Sequence, residues 1–145
     1  MEIVENGFIF SDHRDLVDAN AVHRYLSLES YWAKNIPLAT VKIAIANSLC
    51  FGIYKDKAQV GFARWVTDYS TFAYLCDVYI EENYRGLGLS KKLMSLMILH
   101  PGLQGLRRYH LATLDAHGLY AQFGFKPLEH PQRQMEIVIK DIYEG

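Results

Sequence analysis

The sequence predicts a mixed α+β domain built on one central, mostly antiparallel sheet. Apolar runs rich in aromatic and β-branched residues, such as Phe72–Ile80, alternate with stretches of helical spacing, such as Leu89–His100. The strands predicted at 49–54, 59–67 and 72–80 follow one another through short polar turns, which is typical of antiparallel pairing. The 145 residues are half hydrophobic and 21% charged, a length and balance that suit a single domain covering residues 1–145.

The remaining elements complete a sheet of six to seven strands with about four helices. Ile3–Phe10 is predicted as the first strand, and Ser11 and Asp12 as caps of a helix from His13 to Leu26. Pro37 can open a second helix, because its missing N–H costs nothing at that position. The other predicted elements are a helix at 38–47, a strand at 110–114, a short helix at 116–123 ended by Gly124, and strands at 125–128 and 135–139.

Composition and charge exclude several classes of protein. The formal net charge of −1 gives no global field for nucleic acid or an anionic membrane. No apolar stretch approaches the ~20 residues of a membrane span, and Met1–Glu5 lacks the basic, apolar start of a signal peptide. Cys50 and Cys76 each lie in an apolar segment, which favours buried thiols in a reducing cytoplasm over a disulfide. The six histidines show no metal-ligand spacing, so no metal is expected.

A glycine-rich turn, Tyr84–Ser90, joins the strand Phe72–Ile80 to the helix that follows. The first N–H groups of such a helix have no internal partner and, with the positive end of the helix dipole, suit a phosphate. Gly86 and Gly88 would let a ligand approach the backbone closely. The alternative is an ordinary strand–helix turn. A P-loop is excluded because its Gly-x-x-x-x-Gly-Lys-Ser/Thr run is missing, and the dinucleotide fingerprint lacks its third glycine at Lys91.

Two motifs and the order of elements resemble the GNAT N-acetyltransferase superfamily. Arg85–Ser90 resembles the family's Arg/Gln-x-x-Gly-x-Gly/Ala pattern, with Ser90 in place of the last small residue. Leu119–Phe125 is similar to the family's Leu-Tyr-x-x-x-Gly-Phe. The resemblance implies a sheet splayed between its fourth strand (72–80) and its fifth (110–114). It also implies acetyl-coenzyme A as cosubstrate, with cofactor contacts from Val78, Tyr79, Ile80, Arg85, Gly86, Leu87, Gly88, Leu89, Ser90 and Asp115.

The resemblance implies one catalytic side chain, and the geometry of the strand offers a candidate for a second. Tyr120 matches the tyrosine that protonates the departing thiolate, and an ordinary pKa near 10 keeps it protonated at neutral pH. Asp77 lies on the strand face opposite Val78 and Ile80; it is a candidate base or amine counter-ion, or else a structural carboxylate bonded to Arg64. An amide near Val78 would stabilise the oxyanion. His117 is a weaker candidate base.

Acceptor binding is expected from Tyr31 and Trp32, which lie between the first two helices in a segment without core periodicity. Aromatic faces suit ammonium groups, although core packing explains these residues equally well. The sequence thus predicts a cytoplasmic acetyltransferase acting on a small amine or a peptide, and leaves a homodimer open. The alternatives are a non-catalytic acyl-coenzyme A sensor of the same fold and a structural or dimerisation domain.

Overall fold

Six strands form one sheet in chain order in the computed structural model, which describes residues 1–144. Neighbouring strands pair antiparallel from the first to the fifth, and the fifth and sixth run parallel. This confirms the predicted mixed, mostly antiparallel sheet. The strands are β1 (Glu2–Glu5), β2 (Phe8–Ser11), β3 (Leu49–Lys55), β4 (Ala58–Thr67), β5 (Phe72–Ile80) and β6 (Arg108–Leu111).

Helices cover both faces of the sheet. Two of them bury Val22 and Val41 against Phe62 and Tyr79 on one face. On the other face Leu93, Met94 and Met97 pack with the inward side chains of the strands. The helices are α1 (Ala19–Leu28), α2 (Leu38–Ala46), α3 (Leu89–Ile98) and α4 (His117–Ala121), and single helical turns lie at Arg14–Leu16, Glu82–Tyr84, Pro101–Leu103 and Pro131–Arg133. No helix within residues 1–144 is long and apolar enough to cross a membrane.

The first predicted strand is two strands. β1 and β2 form a hairpin whose turn is Asn6–Gly7, with φ of 51° and 81°. Two consecutive positive φ values define the type I′ turn that suits the twist of a hairpin, and Asn-Gly is its preferred pair. The prediction of one strand at Ile3–Phe10 was therefore wrong, because this turn signal was read as strand.

The first helix begins later than predicted. Residues 14–16 form a single helical turn, and α1 begins at Ala19 rather than His13. Asp18 is its cap, since the side-chain carboxylate accepts a hydrogen bond from the Ala21 N–H at 3.1 Å. Ser11 and Asp12 do not cap this helix. The Asp12 carboxylate instead contacts His100 Nε2 at 2.9 Å.

The two C-terminal strands predicted at 125–128 and 135–139 are not formed. Both stretches have no regular structure, and the sheet ends at β6. Helix α4 is also shorter than predicted, but Gly124 takes the expected positive φ of 96°. The Phe125 N–H donates to the Tyr120 carbonyl at 3.3 Å, which completes the expected glycine cap.

A bulge and a short pairing open the sheet between β5 and β6. In the register of β4 and β5, Phe62 faces Tyr79 and Arg64 faces Cys76, so Ala63 faces two residues, Asp77 and Val78. β6 pairs with only the first four residues of β5, Phe72–Leu75. Within residues 1–144, the edge of β5 away from β4 therefore has no strand beside it from Cys76 onward, as the predicted splay requires.

Candidate active site

A cavity of about 470 Å³ lies where β5 and β6 separate. One side is the bulged part of β5, and the other is the chain that leaves β6 for α4. The aromatic residues between α1 and α2 close it. The predicted site residues that meet here are Tyr31, Trp32, Asp77, Val78, Asp115 and Tyr120.

Asp77 is held at the bulge by two donors. Its φ of 55° is left-handed, a conformation that aspartate tolerates better than most residues. Arg64 Nε donates to Oδ2 at 2.7 Å, and Trp32 Nε1 donates to Oδ1 at 2.8 Å. Burial alone would lower the pKa of Arg64, because it disfavours the charged guanidinium. The attraction of the Asp77 carboxylate outweighs this effect, so the pKa of Arg64 is raised. The Asp77 carboxylate therefore forms structural hydrogen bonds and also lines the cavity.

Tyr31 and Trp32 form an aromatic wall rather than part of the core. Both side chains are exposed, and their rings meet edge to face with centroids 5.0 Å apart. The Tyr31 hydroxyl accepts a hydrogen bond from the Leu114 N–H at 3.1 Å. This bond fastens the segment between α1 and α2 to the chain after β6. The wall thus depends on contacts distant in sequence, which explains its lack of periodicity.

Tyr120 reaches the cavity from α4. Its side chain is buried, and desolvation, followed by the charges of Tyr31 and Asp115, raises its pKa to about 12. The same side chain also lines a neighbouring cavity of about 350 Å³. Within residues 1–144 no hydrogen bond to its hydroxyl is formed. Tyr120 is therefore a protonated phenol with its donor available to a ligand.

The glycine loop presents bare backbone at the start of α3. Gly86 and Gly88 have φ of 80° and 77°, which favour glycine, and a Cβ at either would meet no atom within 4 Å. The helical hydrogen bonds begin with Lys92 N–H donating to the Gly88 carbonyl at 3.1 Å. The amides of Leu89, Ser90 and Lys91 precede that bond and have no intrahelical acceptor. Leu87 is exposed at the tip of the loop.

Two predicted cofactor residues have side chains turned away from the loop's open side. Arg85 Nε donates to the Ile80 carbonyl at 3.0 Å, and its Nη2 donates to the Tyr25 hydroxyl at 2.9 Å. The Tyr79 ring is buried and stacks on Tyr25 with centroids 4.0 Å apart. The Tyr79 side chain is buried, so only its backbone is available to a ligand. Arg85 is exposed, and its two hydrogen bonds fasten the loop to β5 and α1.

Several residues that line the cavity were not predicted to belong to the site. Tyr74, Cys76, Leu111 and Thr113 reach it only because β5 and β6 separate. Burial raises the pKa of the Cys76 thiol to about 12, so it stays protonated. His117, the weaker candidate base, lines the neighbouring cavity instead. Within residues 1–144 no three His, Cys, Asp or Glu side chains gather as metal ligands would.

A splayed sheet with a bulged strand and a glycine loop before α3 defines a class of proteins, and comparison with known proteins agrees. Residues 46–127 match the family model of the acetyltransferase (GNAT) domain. A protein of Gibberella zeae named as an acetyltransferase is 31% identical over 137 residues, covering 79% of this chain and 76% of that protein. The chain belongs to the GNAT acetyltransferase family and is an acyltransferase.

Solved structures show the same relationship. A GNAT-family acetyltransferase from Xanthomonas campestris superposes with a TM-score of 0.93 at 51% identity, covering 95% of this chain and 97% of that one. A protein of Clostridium acetobutylicum, solved with acetyl-CoA, has a TM-score of 0.67 at 13% identity, over 90% of this chain and 94% of that one. At that identity the second likeness shows the fold alone.

Proposed function

We propose that the whole chain is one acetyl-CoA-dependent N-acetyltransferase domain, which moves the acetyl group directly to a primary amine in a ternary complex. The observation that carries the proposal is the cavity between β5 and β6. A protonated tyrosine, a carboxylate and an aromatic wall meet there, beside a strand edge without a partner. The acetyl donor, bound as a thioester, supplies an activated carbonyl.

The backbone supplies most of the donor site. The free amides at the start of α3 and the open space over Gly86 and Gly88 suit the pyrophosphate. The unpaired edge of β5 from Cys76 to Ile80 suits an extended pantetheine arm with amide groups, which adds to the sheet as a further strand would. The N–H of Val78, at the bulge, is the proposed donor to the developing oxyanion.

Asp77 and Tyr120 are proposed to take part in different proton transfers. The acceptor attacks as a neutral amine, so its ammonium must first lose a proton, to Asp77 or through water to solvent. The nitrogen then forms a bond to the thioester carbon and loses a second proton to solvent. As the carbon–sulfur bond breaks, the sulfur takes the electron pair and Tyr120 gives it a proton. The tyrosine regains that proton from solvent before the next turnover.

Direct transfer is favoured over a covalent acetyl-enzyme. Cys76 is the one thiol among the residues that line the cavity, and burial raises its pKa to about 12. A protonated thiol is a poor nucleophile, because the thiolate is the reactive form. The amine is therefore proposed to attack the thioester itself. The two cysteines of the chain are unpaired, which supports the proposed cytoplasmic location.

The charge of the cavity wall suits a cationic acceptor. Among the described residues that line it are two carboxylates, Asp77 and Asp115, and the aromatic rings of Tyr31, Trp32 and Tyr74, and none is a lysine or arginine. Arg64 pairs with Asp77, so Asp115 is the carboxylate whose charge no arginine balances. An ammonium group gains from both carboxylates and aromatic faces. A carboxylate or phosphate beside the reacting amine would be repelled. The proposed acceptor is thus an amine on an apolar body, either a small molecule or a peptide side chain.

A matched pair of amines tests the proposed preference for an acceptor without a carboxylate. 2-Phenylethylamine and phenylalanine share a ring and an amine, and the second adds a carboxylate. We expect amine-dependent release of coenzyme A thiol, with kcat/KM at least about tenfold higher for 2-phenylethylamine. A repulsion of ~1.4 kcal/mol between the added carboxylate and the cavity wall corresponds to a tenfold difference. Equal values would contradict the assigned charge preference. Calorimetric binding of acetyl-CoA without turnover on any amine would instead support a sensor.

A further inference from the structure

Asp115 is a carboxylate in the cavity between β5 and β6 whose charge is unbalanced. It is exposed and lines the cavity, and no lysine or arginine is among the described residues that line it. The other carboxylate there, Asp77, is paired with Arg64. Within residues 1–144 the Asp115 carboxylate forms no ion pair and no hydrogen bond. The cavity therefore carries a net negative charge beside its aromatic wall.

The chain around Asp115 is fixed on both sides. Before it, the Leu114 N–H donates to the Tyr31 hydroxyl at 3.1 Å. After it, the Ala116 N–H donates to Thr113 Oγ1 at 3.1 Å. Helix α4 then begins without a side-chain cap. The backbone is thus held while the carboxylate takes no part in the turn, and a group positioned in advance loses little freedom when it binds a ligand.

Each aromatic residue of the wall is bonded close to one of the two carboxylates. The Trp32 indole N–H donates to Asp77 at 2.8 Å, and the Tyr31 hydroxyl accepts from the residue that precedes Asp115. The two rings meet with centroids 5.0 Å apart. Burial, followed by the charges of Tyr31 and Asp115, raises the pKa of Tyr120, so Asp115 is also close to the reacting groups. An acceptor that lies along both rings therefore meets a carboxylate beside each.

We propose that Asp115 selects acceptors that carry a second ammonium group, which its carboxylate binds while the reacting amine lies beside Asp77. The inference rests on the proposed acetyl transfer and narrows its acceptor from a primary amine to a diamine with an apolar spacer. The reacting nitrogen must be neutral when it attacks, so its own charge cannot balance Asp115. A second ammonium keeps its charge throughout the reaction. An acceptor without one would remove water from the Asp115 carboxylate and give it no partner.

Steady-state kinetics with two amines of one chain length test the proposal. Hexamethylenediamine and hexylamine share the apolar spacer, and only the first has a second ammonium. The ratio of their kcat/KM values should fall about fivefold from the parent to Asp115→Asn, which is the ~1 kcal/mol that an exposed ion pair can contribute. Comparing ratios removes the effects of two reactive amines, of their different proton affinities in solution, and of any shared loss of donor binding.

Asp15→Asn is the matched control. Asp15 is also exposed and makes no side-chain hydrogen bond in the described part of the chain, but it is not among the residues that line the cavity. The ratio in this variant should equal the parent's. An unchanged ratio in Asp115→Asn, or an equal fall in Asp15→Asn, overturns the proposal and leaves acetyl transfer standing.

Calorimetry separates the acceptor from the donor as the ligand of Asp115. In protein saturated with coenzyme A, Asp115→Asn should raise the dissociation constant of hexamethylenediamine about fivefold, and it should change that of acetyl-CoA less. A larger loss of acetyl-CoA binding would make Asp115 a donor contact, as the family resemblance implies, and overturn the proposal. A parent chain that binds no diamine overturns it as well. Diamine binding that depends on Asp115, without turnover of either amine, would support the assigned ligand and contradict acetyl transfer.

Discussion

Arg64 and Asp77 form an ion pair across the bulge, with Nε 2.7 Å from Oδ2 and both side chains mostly buried. The pair joins β4 to β5 just beyond Leu75, the last residue of β5 that pairs with β6. Trp32 donates to the second carboxylate oxygen, so the aromatic wall is tied to the same group. The position of the proposed acceptor wall therefore depends on Asp77, whatever its part in proton transfer.

Asp77→Asn should slow turnover at saturating acetyl-CoA, and the slowing should grow as the assay pH falls. The reason is that the acceptor's ammonium proton loses its nearby carboxylate. The variant should also unfold about 1–3 kcal/mol more easily in urea, because Arg64 keeps its charge without its partner. An unchanged rate at every pH would make Asp77 a structural residue.

Trp32→Phe separates a base from a positioning residue. It removes the donor to Oδ1 and leaves the carboxylate and Arg64 in place. If Asp77 takes the proton, Trp32→Phe should raise KM for the amine and keep the parent's pH profile of kcat. If Trp32→Phe instead reproduces the pH dependence of Asp77→Asn, then Asp77 acts by positioning the Trp32 indole and is not the base.

Tyr120→Phe should lower kcat and kcat/KM together by about 10²–10⁴-fold, while the dissociation constant of acetyl-CoA hardly changes. Because the pKa of Tyr120 is raised to about 12, the parent should show no loss of rate from its ionisation below about pH 11. Tyr69→Phe, at an exposed tyrosine, is the control. A Tyr120→Phe protein with the parent's kcat would show that solvent protonates the thiolate.

Gly88→Val should abolish acetyl-CoA binding in calorimetry while the chain stays folded. A branched side chain would fill the open space before α3, and the positive φ of 77° at Gly88 disfavours valine. Gly105→Val is matched for strain, since Gly105 has φ of 81° and equally open space outside the loop. Equal losses in both variants, or none in Gly88→Val, would contradict the phosphate-loop assignment.

Asp68 makes the turn between β4 and β5 sensitive to acid. Its pKa lies well below the usual value, chiefly because the carboxylate accepts hydrogen bonds from the backbone and hydroxyl of Thr71 and from the Ser70 N–H. A lowered folded-state pKa stabilises the fold above the ordinary value of 3.8 and loses that effect as the pH falls below it. Asp68→Asn should therefore lower the urea midpoint at pH 7, and the difference should shrink below pH 4.

The control for this prediction is Asp15→Asn, at another exposed aspartate whose side chain makes no hydrogen bond in the described part of the chain. It should leave the urea midpoint close to the parent's at both pH values. A constant difference between Asp68→Asn and the parent from pH 7 to pH 3 would mean that the charge of Asp68 does not stabilise the turn.

Local patterns predicted much of the fold. β5 has its predicted bounds, Phe72–Ile80, because alternation and β-branched residues specify a strand without distant contacts. Pro37 and Gly124 mark helix ends as expected, since both act through their own backbone. The first hairpin and the cap at Asp18 were not predicted, although both signals are local. Asn6–Gly7 was included in the strand predicted at Ile3–Phe10, and Asp18 was included in the helix predicted from His13.

The site could be predicted only in part. Tyr120 and Asp77 were found through their motifs and strand position, and they do line one cavity. Arg64 and Trp32 meet Asp77 from 13 and 45 residues away, and such contacts leave no periodic trace. The strand predicted at 135–139 is rich in β-branched residues, but within residues 1–144 no backbone hydrogen bond joins it to the sheet, so a local pattern alone did not make it a strand.

Steady-state kinetics with acetyl-CoA and an amine both varied test the central claim most directly. Direct transfer in the cavity between β5 and β6 needs both substrates bound at once, so the reciprocal plots should intersect, and thiol release should match amine acetylation mole for mole. Parallel plots, with an acetyl group trapped on the protein in the absence of amine, would contradict the account.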